Sequence, residues 1–173
     1  MPPLLTMRMI SEESRTGILE FLLTAPVSDA AVVTGKFVAA LCFLAILWGT
    51  AFAYGLVVAS LGVAPDWGAL AGGWIGAVLC SALFCAVGLC ASASTSTPIV
   101  AAFGAIVVNL VFVTAPLLAG LSDQPWVRRA VARVDVVDHH KGAFLIGVLD
   151  TSYVVFFLAW TAWFVFLAVR AVE

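Results

Sequence analysis

"FVAALCFLAILWGTAFAYGLVVASL", Phe37–Leu61, runs for 25 residues without a charge. A helix of about 20 apolar residues covers the hydrocarbon core of a bilayer, so this stretch reads as a membrane span. The chain around it has the same character. Its mean hydropathy is +1.15, and only 10% of its residues are charged, against about 25% in soluble domains. A soluble fold of 173 residues cannot hide that much apolar surface, because small globules leave much of their surface wet. The fold class read from this pattern is all-α and polytopic in the membrane.

Working outward, Asp66 to Asp123 is again free of charge and too long for one crossing. The polar run "SASTSTP", Ser92–Pro98, divides it into spans at 69–91 and 99–119, and Pro98 suits the first turn of the second helix. A fourth span is predicted at 152–169, between Asp150 and Arg170. With the first at 37–61, four crossings put both ends of the chain on one side. Residues 1–36 form a polar region on that side, and 121–151 a segment on the other. The whole chain reads as a single transmembrane domain. The positive-inside rule does not orient it. Arg8, Arg15, Lys36 and Arg170 flank one side, and Arg128, Arg129, Arg133 and Lys141 the other.

Two polar segments are not spans. In "SEESRTGILEFLLTAPVSDAAVVTGKF", Ser11–Phe37, Ser11 can cap a helix with Glu12 and Glu13 in its first turn, the end that favours acids. Ile18, Leu19, Leu22 and Leu23 give an apolar stripe, Arg15 and Glu20 stay polar, and Pro26 ends the helix. Ser28 caps the next one, which runs through Lys36 into the first span. Such a helix lies on the membrane surface, docks into another protein, or stands solvated without a partner. In Leu121–Asp150, Pro125 opens an amphipathic helix with three arginines on one side. The short apolar run Ala143–Leu149 after it cannot cross, so it dips into lipid or packs on span ends.

Inside the spans, Gly72 and Gly76 form a G-x-x-x-G pair, and Gly73, Ala77, Ser81 and Cys85 a second four-residue row. Small rows let helices approach closely in lipid, within the chain or between subunits. Asn109 is the strongly polar side chain at mid-span, suited to an interhelical hydrogen bond or to lining a path. Cys42, Cys80, Cys85 and Cys90 read as small buried hydrophobes. "DVVDHHK" offers Asp135, Asp138, His139 and His140, but adjacent His diverge on a helix and no second cluster joins them, so no metal site is expected. No basic stripe suits nucleic acid. A metal-dependent membrane enzyme and a non-transporting scaffold are the rival classes.

The leading residues carry a resemblance. Leu5–Arg8, Glu12–Glu13, Gly17, Glu20, Leu22–Thr24, Pro26–Asp29 and Gly35–Lys36 match the cytoplasmic loop of type-2 ABC exporter permeases, with Ile18 and Ala25 departing from the pattern. The branch with gliding-motility and nitrous-oxide-reductase maturation permeases looks closest. "PDWG" at Pro65–Gly68, "GVLDTSYVVFF" at Gly147–Phe157 and the closing "FLAVRAVE" extend the match, whereas Ile146 stands where many relatives carry Arg. The resemblance implies that the leading loop is a cytoplasmic coupling helix fitting a cleft in an ATPase subunit, with Glu12, Glu13, Arg15, Gly17, Glu20, Leu22 and Leu23 as the docking set. It implies cytoplasmic termini, an extracytoplasmic 121–151 segment, a cell-membrane location and a second permease copy or paralogue. It also implies about two further spans ahead of the loop, of which Pro2–Ile10 would be the tail. The chain is then a fragment, a mis-called start or a truncated product. Gly35–Lys36 lacks the spacing of a phosphate cradle, so ATP and Mg belong to the partner ATPase and this chain carries no cofactor of its own.

Overall fold

The computed structural model describes residues 2–16, 28–121, 124, 126, 131, 136 and 150–172. Every regular element among them is a helix. In chain order they are α1 (Pro2–Thr6), α2 (Ser11–Thr16), α3 (Asp29–Ser60), α4 (Trp67–Ala93), α5 (Pro98–Leu121) and α6 (Thr151–Val172). By length and apolar character α3, α4 and α6 can each cross a membrane. In α5 the apolar stretch Pro98–Thr114 is described at side-chain level.

Local chemistry sets the helix ends. Ser28 is extended, and its hydroxyl accepts from the Ala31 amide at 3.3 Å. That satisfies one of the orphan donors at a helix start. α3 then runs for 32 residues, about 48 Å at 1.5 Å per residue. This exceeds the roughly 30 Å hydrocarbon core, so α3 extends beyond it. The helix begins at Asp29, eight positions before the uncharged stretch, because charge marks where lipid starts and the cap marks where the helix starts. Gly62 closes the other end at φ +83°, the left-handed conformation that favours glycine at a helix terminus. Asp66 caps α4, its Oδ1 accepting from the Ala69 amide at 3.1 Å. Pro98 is the first residue of α5, as the sequence predicts. Asp150 precedes α6 and accepts from the Ser152 hydroxyl at 2.7 Å and the Ser152 amide at 2.9 Å. These two bonds hold its carboxyl below the ordinary value of 3.8.

α4 is the central helix. Of its most apolar stretch 56% is buried inside the molecule, against 17% for α3 and for α6. It packs on α1, α3, α5 and α6. One cluster joins Leu83 and Val87 of α4 to Phe112, Val136 and Phe157. Phe112 meets Trp160 edge-on at 5.5 Å and Phe164 at 6.1 Å. Val136 thus packs in the span core. A second cluster gathers Ile10, Val33, Leu89 and Ala168 next to it, towards the end of α4. Start of α3, end of α4 and end of α6 therefore lie together, and α3 and α5 run antiparallel to α4.

Exposed Leu, Val, Ile and Phe cover the outside of α3, α5 and α6, where lipid is the natural solvent. Cys42 lies exposed on that outer face of α3, whereas Cys85 is buried and Cys80 and Cys90 are half-buried. The expectation of four buried thiols fails at Cys42 because α3 turns much of its surface away from the bundle.

α3 and α4 touch most closely near their shared loop. A Cβ on Gly55 would stand 2.8 Å from Leu70 Cδ1 and 3.1 Å from the Trp67 ring. Gly55→Val is therefore expected to destabilise the bundle by about 1–3 kcal/mol through overpacking. Thermal unfolding in nanodiscs reads the loss, and trimming Leu70 to Ala should recover part of it.

Candidate functional site

The turn Met7–Ile10 between α1 and α2 has little secondary structure of its own, so its backbone groups need other partners. Side chains from α3 and α4 supply them. The Ser92 hydroxyl, fully buried near the end of α4, accepts from the Ile10 amide at 3.1 Å and the Ser11 amide at 3.0 Å. It donates to the Met7 carbonyl at 3.1 Å. A serine hydroxyl has one donor and two lone pairs, so all three are in use. Around it Ile10 packs among Val33, Leu89 and Ala168.

Lys36, on α3, holds the same segment from the other flank. Its ammonium donates to the Met9 carbonyl at 2.7 Å and to Glu13 Oε1 at 2.5 Å. Both side chains of this pair are largely buried, at 19% and 27% exposure. Such a pair depends on its hydrogen bonds to offset desolvation. Glu13 Oε2 is buried with no partner among the described residues, so among them Lys36 carries most of the compensation for that carboxylate. Arg8 and Glu12 form a looser contact at 3.9 Å on the surface, the kind worth about 0.2–1 kcal/mol at most.

The docking set expected from the sequence divides across this junction. Glu13 is engaged inward by Lys36, Glu12 is half-exposed beside Arg8, and Arg15 is exposed at the end of α2. Gly17, Glu20, Leu22 and Leu23 lie outside the described residues. Ser11 is the first residue of α2, and its hydroxyl donates back to the Met7 carbonyl while its amide donates to Ser92. The anchors Ser92 and Lys36 are not among the site residues that the sequence singles out. Ser92 lies inconspicuously in a polar run, and Lys36 stands out only beside Gly35, as a phosphate ligand whose spacing fails. The available signal is Lys36 itself, a lone cation at the mouth of a span with an acid pair upstream.

The small-residue rows divide as well. Gly72 and Gly76 are buried on α4. Gly73, Ala77 and Ser81 line an open groove of about 720 Å³ between α3 and α4, together with Trp48 and Trp74. Both indoles are satisfied there: Trp48 donates to Ser81 Oγ at 2.9 Å and Trp74 to the Ala45 carbonyl at 3.0 Å. Asn109 is buried on α5 at 7% exposure, and neither amide atom has a partner among the described residues. The interhelical hydrogen bond that suits its position is therefore not formed with them. Asp135, Asp138, His139 and His140 lie outside the described residues, and no three potential metal ligands gather among those that are described.

The described chain is a helical bundle whose polar leading segment is bonded to the ends of two apolar helices. A family model described as ABC-2 family transporter protein matches residues 3–171. The chain belongs to the ABC-2 transporter family. No curated protein matches it as a relative. As an ABC-2 family member the chain is a multi-pass membrane permease of the ABC transporter type. In this ABC-2 chain the junction of Met7–Thr16 with Lys36 and Ser92 is the most densely bonded polar site among the described residues.

Proposed function

We propose that this chain is the membrane-spanning subunit of an ATP-driven exporter and moves a substrate with work from a separate ATPase subunit. The family match over residues 3–171 carries the reading. ATP and its Mg would bind on the ATPase, and the coupling helix at 12–24 would be the handle it grips. The permease would pair with a second copy or a paralogue in the cell membrane. Both termini and residues 1–36 would face the cytoplasm, and residues 121–151 the opposite side. Transport then requires that the ATPase grip the segment differently in its open and closed states, because only differential contacts shift a conformational equilibrium. The spans present few polar groups and no charged pathway between 37 and 61 or 67 and 121, which fits a lipid-like or protein-linked cargo.

The test is association. The tagged chain, expressed with ABC ATPase subunits of its own cell and solubilised gently, should retain one of them through purification and stimulate its hydrolysis of ATP. A chain that retains none, while a control permease does, contradicts the reading.

A further inference from the structure

Hydrogen bonds onto Ser92 span 81 to 85 positions of sequence. They join the base of the leading segment to the end of the central helix, whereas Lys36 joins the same segment to α3. Three groups of one remote segment thus meet on a single buried hydroxyl. We propose that Ser92 is the positioning residue through which movement of Met7–Thr16 is passed to α4. This rests on the ATPase-coupled reading above.

Stiffness separates the two attachments. Three bonds on one atom leave the turn Met7–Ser11 no rotation about its attachment point, and Ile10 is locked into the apolar cluster beside it. Lys36 reaches Met9 and Glu13 through a long side chain with several rotatable bonds, and Ile10 and Met9 meet α3 otherwise by apolar packing on Val33, Ala40 and Leu44. A push on α2 therefore reaches α4 through directional hydrogen bonds on one short, buried side chain, and α3 through Lys36 and apolar packing. Since α4 packs on every other span, the Ser92 attachment moves the bundle and not just its nearest helix. Without it, the segment would keep only Lys36 and its apolar packing, and the directional link to α4 would be lost.

Hydrogen exchange measured by mass spectrometry tests this in two stages. In the wild-type chain in nanodiscs, the Ile10 and Ser11 amides should exchange about as slowly as those of α4 near Leu89. Exchange as fast as in the exposed Thr95–Thr97 loop overturns the proposal before any variant is made. Ser92→Ala should speed exchange at Ile10 and Ser11 by about tenfold or more, with the α4 amides around Leu83 unchanged as the sign of an intact bundle. Ser94→Ala, which removes an exposed hydroxyl two positions away, should leave both regions as they are, and Ser92→Cys should fall between.

The second stage uses the complex with the ATPase. ATP with vanadate should alter exchange in the Leu61–Asp66 loop at the far end of α4. In Ser92→Ala the ATPase should still co-purify and α2 should still respond, but the Leu61–Asp66 response should vanish. A purely structural role predicts no such separation. A Leu61–Asp66 response that persists in Ser92→Ala overturns the proposal. A wild-type chain that never holds an ATPase overturns the coupled reading itself, and does so independently of the exchange rates at Ile10 and Ser11.

Discussion

Exchanging the partners of the Lys36–Glu13 pair should produce a large loss in each single variant and a recovery in the double. Lys36→Glu places two carboxylates where a 2.5 Å ion pair stood and frees the Met9 carbonyl of its donor. Removing one partner of a fully buried pair costs about 3–5 kcal/mol. This pair keeps a fifth to a quarter of its surface, so solvent screening lowers the expectation to about 1–3 kcal/mol. Glu13→Lys leaves two ammonium groups in contact and should cost a similar amount. Lys36→Glu with Glu13→Lys restores the attraction, though not the bond to Met9, so the recovery should be partial. A double-mutant cycle on thermal unfolding in nanodiscs reads the coupling directly. Additive losses would show that the pair contributes nothing beyond its separate contacts.

Leu22→Asp combined with Leu23→Asp should weaken ATPase association more than any single substitution in the leading segment. If the apolar stripe of that segment is what the ATPase grips, two buried anchors are replaced by charges. Anchors of this kind carry about 2–4 kcal/mol each on truncation. The expected fall is at least about 100-fold in affinity, since each 1.4 kcal/mol is tenfold. Glu20→Gln, which changes charge without shape, should fall well short of that. Thermal stability of the permease should change little in either variant, because Lys36 and Ser92 hold the base of the segment independently. Retained ATPase in the double variant would move the docking surface elsewhere.

The same residues show why some of this molecule is legible in its sequence and some is not. Phe37–Leu61 announces a span because lipid tolerates almost no charge over that length. Ser28 and Pro98 announce helix starts because the orphan donors at a helix end have few cheap solutions. These are local requirements, satisfied within a few residues, and the structure meets each of them. Ser92 is invisible because its three partners are more than eighty positions away, and no periodicity encodes that distance. Lys36 is visible as a charge but not as a bond, since its partner can be assigned only once α2 and α3 are seen side by side. Cys42 misleads because composition says that a residue is apolar, not whether it faces a helix or a lipid. Asn109 shows the opposite failure. Its burial is expected from the span around it, but the partner expected for its amide is not among the described residues.

The junction also explains how a short segment can serve as a lever. α2 spans only six residues, about 9 Å of helix, too little to be stable alone in water. Its base is made rigid from outside, by a hydroxyl from one span and an ammonium from another. Stability borrowed in this way is useful for coupling, because a displacement of the segment cannot relax locally without breaking bonds to the spans.

Coupling of this kind requires that the leading segment face the cytoplasm, where an ATPase can reach it. Arg15 is exposed at the end of α2, so Arg15→Cys in a background lacking the four native cysteines gives one reactive thiol there. A membrane-impermeant maleimide should leave that thiol untouched in intact cells and label it in inside-out vesicles. Labelling in intact cells would place the segment on the outer face and contradict the coupled mechanism.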